Sequence, residues 1–271
     1  MEEHEEEFKT WIFTLGNEVV EGRVVNTNAS YLGRRLTLLG FKVVGNISLI
    51  DDVNIISSHL RYVANTYKPR LIVTTGGLGP TPDDRTLEAI AKAFNRKLIL
   101  NDEAFKMVKE KYSEINLPMT VERKKMAYLP EGAIPIPNPV GTAPGSWLEV
   151  PELNLIIISL PGVPRELEAM WEGWVEKRLR DIGPKVYIFE ETFTVIGIPE
   201  SSAAKVLKDV QKRYGNVYVK THPKGHEIRG PKLDVYIMAS SREESEARKA
   251  VRIVKELLMR KFKELGGNIH E

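Results

Sequence analysis

From Thr10 onward, short apolar runs alternate with stretches in which apolar residues recur every three or four positions. That alternation predicts strands interleaved with amphipathic helices in a layered α/β domain. Trp11-Ile12-Phe13-Thr14-Leu15 reads as a first strand, ending at Gly16-Asn17-Glu18. The next helix is capped by Thr27 or Asn28, carries Leu32, Leu36 and Leu39 on one face, and stops at Gly40. Phe41–Leu49 predicts a second strand, and Asp51-Asp52 opens a helix over Val53–Tyr67 whose Ile56, Leu60 and Val63 turn inward. Leu71-Ile72-Val73 is unbroken and β-branched, which fits a strand covered on both faces. Arg85–Phe94 is the following helix. Residues 102–127 form a polar helical excursion broken at Leu117-Pro118, either a surface hairpin or a lid.

Prolines at 130, 135, 137, 139 and 144 then exclude regular structure up to Gly145. A hairpin of Ser146–Val150 and Leu155–Leu160 follows, and its second strand runs through Pro161-Gly162 into a helix start. After Gly183-Pro184 the order changes to strand Val186–Val195, helix Ser201–Arg213, strands Val217–Thr221 and Leu233–Ala239, and helix Glu243–Leu265. The expected architecture is a three-layer α/β/α domain with a mostly parallel sheet (residues 8–180), followed by a small α+β domain of βαββα order (residues 184–271).

Composition narrows the function. Charged residues make up 28% and hydrophobic residues 42%, as in ordinary globular chains, and no apolar run could span a bilayer. The acidic Met-Glu-Glu-His-Glu-Glu-Glu opening is unlike a signal peptide, so a cytoplasmic address and no membrane partner are expected. The chain has no cysteine, which excludes disulfides, thiolate metal sites and a cysteine nucleophile. Its net charge of +2 combines a slight acidic excess before residue 180 with a basic excess after it, too little to argue for nucleic acid. Gly225–Gly230 has the wrong spacing and context for an RNA-clamping Gly-x-x-Gly. None of His4, His59, His222, His226 and His270 adjoins the glycine motifs, and Ser146 lacks a Gly-x-Ser-x-Gly elbow.

The chemistry concentrates in Thr75-Gly76-Gly77-Leu78-Gly79-Pro80-Thr81-Pro82-Asp83-Asp84, which links a buried strand to a helix. Three glycines allow positive φ and close backbone approach, so several amide N–H groups can converge on one anion. Paired carboxylates beside such a cradle repel bare phosphate but suit phosphate that arrives with a divalent cation. The alternative is a tight turn in which Asp83 or Asp84 caps the helix. A second loop, Asn138 to Gly145, and a third at Gly162 end near the same sheet edge, where open α/β sheets bind ligands.

With Gly16-Asn17-Glu18, Asn26-Thr27-Asn28, Asp51-Asp52, Thr75–Asp84, Asn138–Gly145 and Leu160–Glu166 in register, the chain resembles the CinA-type family, which is related to the MoaB/MogA molybdopterin-binding fold. The likeness is dense over residues 10–175, and the tail is similar to the small middle domain of CinA proteins. Full-length bacterial CinA proteins continue into a deamidase domain acting on nicotinamide mononucleotide. The present chain stops at Glu271, so deamidation is not expected.

The resemblance implies hydrolysis of a nucleoside diphosphate, ADP-ribose first, to AMP and ribose 5-phosphate. It also implies a divalent metal (Mg²⁺, Mn²⁺ or Co²⁺), with room for a monovalent cation beside it, and a homo-oligomer. The family pattern makes Asp84 a catalytic aspartate or metal ligand, joined by Asp83 and Glu18 at the metal, with Asn28 reaching it through water. Asp52 is either the second catalytic carboxylate or a helix cap. Gly76, Gly77, Leu78 and Gly79 supply the phosphate cradle and Thr81 a hydroxyl donor, with Asn138, Gly141, Thr142, Ala143, Gly145 and Gly162 completing the nucleotide site. Two other readings stand beside this one: a molybdopterin-binding or adenylyl-transferring protein, and a nucleotide-binding protein without catalysis.

Overall fold

The protein is described by a computed structural model over residues 8–224 and 230–270. It divides into two compact units, one running to Thr37 and from Phe41 to Pro184, the other comprising Leu38–Gly40 and the chain from Lys185 onward.

The first unit starts with β1 (Lys9–Leu15), α1 (Asn17–Val20), α2 (Thr27–Leu38), β2 (Lys42–Leu49), α3 (Val53–Tyr67), β3 (Leu71–Thr75) and α4 (Thr86–Ala93). It continues through β4 (Leu98–Leu100), α5 (Asp102–Glu114), α6 (Val121–Lys125), β5 (Tyr128–Pro130), β6 (Ile134–Ile136), β7 (Gly145–Val150), β8 (Leu155–Leu160), α7 (Pro164–Met170) and α8 (Glu176–Ile182). Six strands form one sheet in the order β2-β1-β3-β8-β7-β6. The β2-β1-β3-β8 part is parallel, and β7 runs antiparallel to both neighbours. Every residue of β3 and β8 is buried, so both faces of the sheet are covered, as its parallel centre requires. On one face Phe13, Leu15 and Ile72 pack with Ile56, Leu60 and Val63 of α3 and Ala89 and Ile90 of α4. This is the mostly parallel α/β fold the apolar pattern implies.

The differences are local. The proline-rich region does carry regular structure: β5 pairs with β4, and β6 pairs with β7 through Ile134, Pro135 and Ile136. Strands of three residues at a sheet edge tolerate proline, because one side of each needs no ladder bond. The 102–127 excursion forms α5 and α6, interrupted around Leu117-Pro118. A π-helical turn at Trp171–Val175 joins α7 to α8.

The second unit comprises β9 (Tyr187–Ile196), α9 (Glu200–Arg213), β10 (Val217–Pro223), β11 (Lys232–Ser241), α10 (Glu244–Glu264) and β12 (Asn268–His270). Its sheet is antiparallel in the order β10-β11-β9-β12, a split βαββαβ arrangement. The expected βαββα order lacks the last strand. Asn-Ile-His has no apolar run to betray it, and it becomes a strand only by pairing with Thr194–Ile196 of β9. Ala203, Val206 and Val210 of α9 and Val251, Val254, Leu258 and Phe262 of α10 pack with Phe193, Val195, Val219, Val235 and Ile237 of the sheet. Gly225–Gly230, His226 and His4 fall outside or across the limit of the described residues. No described helix is long and apolar enough to cross a membrane.

Candidate functional site

From β1 the chain passes through α2 to β2 at one side, then returns through α3 to β3 on the other side of β1. The connections therefore diverge beyond the carboxyl ends of β1 and β3, a topological switch point where open α/β sheets form their crevice. A cavity of about 570 Å³ opens there. Leu15, Gly16 and Glu18 line it after β1, and Asp51 after β2. Gly76, Gly77, Leu78, Gly79, Pro80, Asp83 and Asp84 line it after β3, and Pro161, Gly162, Val163, Pro164 and Glu166 after β8. Met126, Thr142 and Ala143 complete the wall.

The floor is built on backbone that excludes side chains. Gly76 and Gly77 have φ of 106° and 66°, in the left-handed half of conformational space. A Cβ on Gly76 would lie 2.0 Å from the Leu15 carbonyl oxygen, and one on Gly77 would lie 2.2 Å from Thr86 Oγ1. The turn is fixed by Gly76 N–H donating to Leu160 O (3.0 Å) and by Thr86 Oγ1 donating to Gly76 O (2.9 Å). Behind it, the buried Asn28 Nδ2 donates to Thr75 Oγ1 (2.9 Å) and to Gly162 O (2.8 Å), joining the ends of β3 and β8. Both hydrogens of its amide are thus engaged in structure. Gly79 is not in a positive-φ conformation; a Cβ there would meet the Asp84 carboxylate at 2.7 Å and push it out of its place beside Thr81.

Carboxylates form the walls. Asp84 Oδ2 accepts from Thr81 N–H (2.8 Å), and the Thr81 hydroxyl reaches both Asp84 and Asp83. That hydroxyl holds Asp83 below the usual carboxylate range. Lys125 Nζ donates to the Thr81 carbonyl oxygen, tying α6 to the glycine loop. Asp51 behaves oppositely: burial pushes it up, and the charges of Glu18, Asp83 and Asp84 add to that, while Asn17 N–H donating to Oδ2 (3.0 Å) works against it. On the other wall Asn138 is saturated. Its Nδ2 donates to Ala143 O (2.9 Å) and Glu166 Oε2 (2.7 Å), and its Oδ1 accepts from Val140 N–H (3.1 Å) and Gly141 N–H (2.7 Å).

The sequence-selected residues therefore divide. Gly76, Gly77, Leu78, Gly79, Thr142, Ala143, Gly162, Glu18, Asp83 and Asp84 all line one cavity. Asp52 does not: its Oδ1 accepts from Asn54 N–H and Ile55 N–H, both at 2.8 Å, so its carboxylate is the N-cap of α3. Its neighbour Asp51 stands in the cavity instead. Thr81 orients carboxylates from outside the lining, and Asn138 acts through the loop and Glu166. Gly141 leaves room for Glu166, whose Oε2 would be 2.0 Å from a Cβ there, and Gly145 opens β7, where a Cβ would meet Ser159 O at 2.6 Å. Sequence reasoning missed Asp51, Glu166 and Met126. For Asp51 the signal was present, since a helix starting at Val53 takes its cap from the residue just before it.

Among the described lining residues there are five carboxylates and no basic side chain. Hard oxygen donors suit Mg²⁺ or Mn²⁺. No group of three or more His, Cys, Asp or Glu among the described residues forms a ready-made metal cage. The donor set fits a cation that keeps waters and binds through one or two carboxylates plus a ligand phosphate, the usual habit of Mg²⁺.

Comparison with known proteins agrees with this geometry. Residues 11–181 match the family described as "Probable molybdopterin binding domain", and the chain belongs to that family. A protein of Pyrobaculum calidifontis is 46% identical over 243 residues, covering 89% of this chain and 90% of its own. One of Saccharolobus solfataricus is 45% identical over 258 residues, covering 95% and 93%. Among solved structures, the protein CinA of unknown function from Thermoplasma acidophilum overlaps with a TM-score of 0.59 at 38% identity, over 64% of this chain and 98% of that one. The expected likeness to CinA-type chains therefore holds for the first unit.

Proposed function

We propose that the crevice binds a phosphate-bearing pterin of the molybdopterin class together with a divalent cation, and that it supports transfer of an adenylyl group from ATP to that phosphate, with pyrophosphate as the leaving group. The family match carries the pterin, and the conjunction of a glycine floor with an all-acidic wall carries the cation. The amides of Gly77, Leu78 and Gly79 would hold phosphate oxygens with no side chain in the way, while Gly76, whose N–H is taken by Leu160 O, sets the turn. Asp84 and Asp83, oriented by Thr81, would hold the cation, with Glu18 and Asp51 reaching it through water. When bound, the cation neutralises charge on the phosphates and aligns them for displacement. The chain's own contribution is orientation, the exclusion of water by Leu78, Met126 and Ala143, and a fixed array of dipoles.

The CinA-type motifs support a second reading, hydrolysis of a nucleoside diphosphate compound, ADP-ribose foremost, on the same floor and walls. A site that binds either nucleotide without turnover is the third. Purified chain incubated with molybdopterin plus ATP, and separately with ADP-ribose, distinguishes them, each with Mg²⁺, Mn²⁺ or Co²⁺ and with chelator. Metal-dependent adenylylated pterin is the expected product. AMP and ribose 5-phosphate from ADP-ribose, without pterin chemistry, would replace the first reading by the second, and ligand bound unchanged would leave the third. A cytoplasmic setting and a homo-oligomeric state are proposed with this function, and light scattering of the purified chain tests the latter.

A further inference from the structure

Glu166 is a cavity carboxylate on the wall opposite the Asp83 and Asp84 pair that Thr81 orients. It comes from the strand end of β8 rather than β3, at the first turn of α7, and it is tied to a different loop. Asn138 Nδ2 fixes one of its oxygens at 2.7 Å, and a Cβ on Gly141 would meet that carboxylate at 2.0 Å, so a side chain there would displace it. Among the described residues its carboxylate bonds to the side chain of Asn138 alone. A carboxylate oriented by a saturated asparagine, on the wall of a cavity, with no cation of its own, is an acceptor presented to a ligand. Placed against phosphate it would only repel; placed against neighbouring N–H or O–H groups it forms charge-assisted hydrogen bonds.

We infer that Glu166 is the specificity-determining acceptor of this site, reading a pair of hydrogen-bond donors on the part of the ligand that is not phosphate. This rests on the function proposed above and deepens it. A pterin offers such donors on its amino-pyrimidinone edge, and a ribose offers them as a diol, so the shared chemistry is a donor pair next to a phosphate arm. Asn138 is the positioning residue: its two amide hydrogens lock the loop and the carboxylate in one geometry.

The test is calorimetric binding by the full chain, with Mg²⁺, of three probes: molybdopterin, ADP-ribose and inorganic pyrophosphate. Glu166→Gln keeps the volume. Its carbonyl can still accept from Asn138, but it then presents an NH₂ where the ligand needs an acceptor. For whichever organic probe the wild type binds, Glu166→Gln is expected to lose affinity roughly 10- to 100-fold, the scale of a charge-assisted bond. Pyrophosphate, which has no such donors, is expected to bind both proteins alike and reports an intact floor. Equal losses for all probes would make Glu166 a purely structural residue, and no loss for the organic probe would remove it from recognition; either overturns the inference alone. A wild type that binds pyrophosphate but neither organic probe would overturn the proposed function and the inference with it.

Discussion

Two adjacent aspartates divide the work of structure and site between them. Asp52 satisfies two orphan amides at the start of α3, while Asp51 turns into the cavity, and one peptide unit separates a cap from a ligand-facing carboxylate. Asp52→Ala is expected to cost about 1 kcal/mol of stability, the ordinary worth of an N-cap, with no change in pyrophosphate affinity. Urea unfolding and the same calorimetry check both halves. If Asp52→Ala abolished binding without moving the unfolding midpoint, the assignment of these two residues would be inverted. Thr81 shows the same economy, since one side chain and its backbone amide orient both Asp83 and Asp84.

At the scale of elements, the loops after β1, β3 and β8 meet because their strands are neighbours, and each needs backbone that approaches another backbone. Gly77→Ala places a Cβ against Thr86 Oγ1 at a positive φ, and a cost of roughly 1–3 kcal/mol follows from the strain alone. Thermal unfolding with and without pyrophosphate reads it: a variant that melted like the wild type would show the turn free to relax. The same contrast explains what the sequence could disclose. β3 and β8 were legible from unbroken β-branched runs, and α3 from its acidic cap and its Ile56, Leu60, Val63 stripe, because these signals are local. β12, and the β4 to β5 pairing, depend on partners far along the chain and leave no periodicity of their own. The glycine loop announced the crevice, but Glu166 looked like any first-turn glutamate until Asn138, 28 residues earlier, was seen to hold it.

For the molecule as a whole, the acidic cavity carries a stability consequence of known sign. Asp51 has its carboxyl raised above the ordinary value of 3.8, chiefly by burial. The protonated form is therefore the one the fold prefers, and its stabilising contribution is complete below pH 3.8 and disappears as pH rises through the higher folded value. Asp51→Asn, neutral throughout and still able to accept from Asn17 N–H, is expected to melt above the wild type near neutral pH and to lose that advantage below pH 3.8. Melting curves at pH 7 and pH 3.5 measure it; an advantage that persisted in acid would place its origin elsewhere. Glu176 runs the other way. Burial raises it, but hydrogen bonds and charge from Arg180 and Arg35 prevail and lower it, so its contribution is present above pH 4.5 and lost toward acid. The amide of Asn28 has a consequence of another kind. It joins α2 to a carbonyl 134 residues downstream, so the crevice floor cannot close until the chain has been made past Gly162. A ribosome must release Gly162 and the helix beyond it before any ligand finds a place to sit, and until then the nascent protein carries its acidic loops as open, unfinished ends.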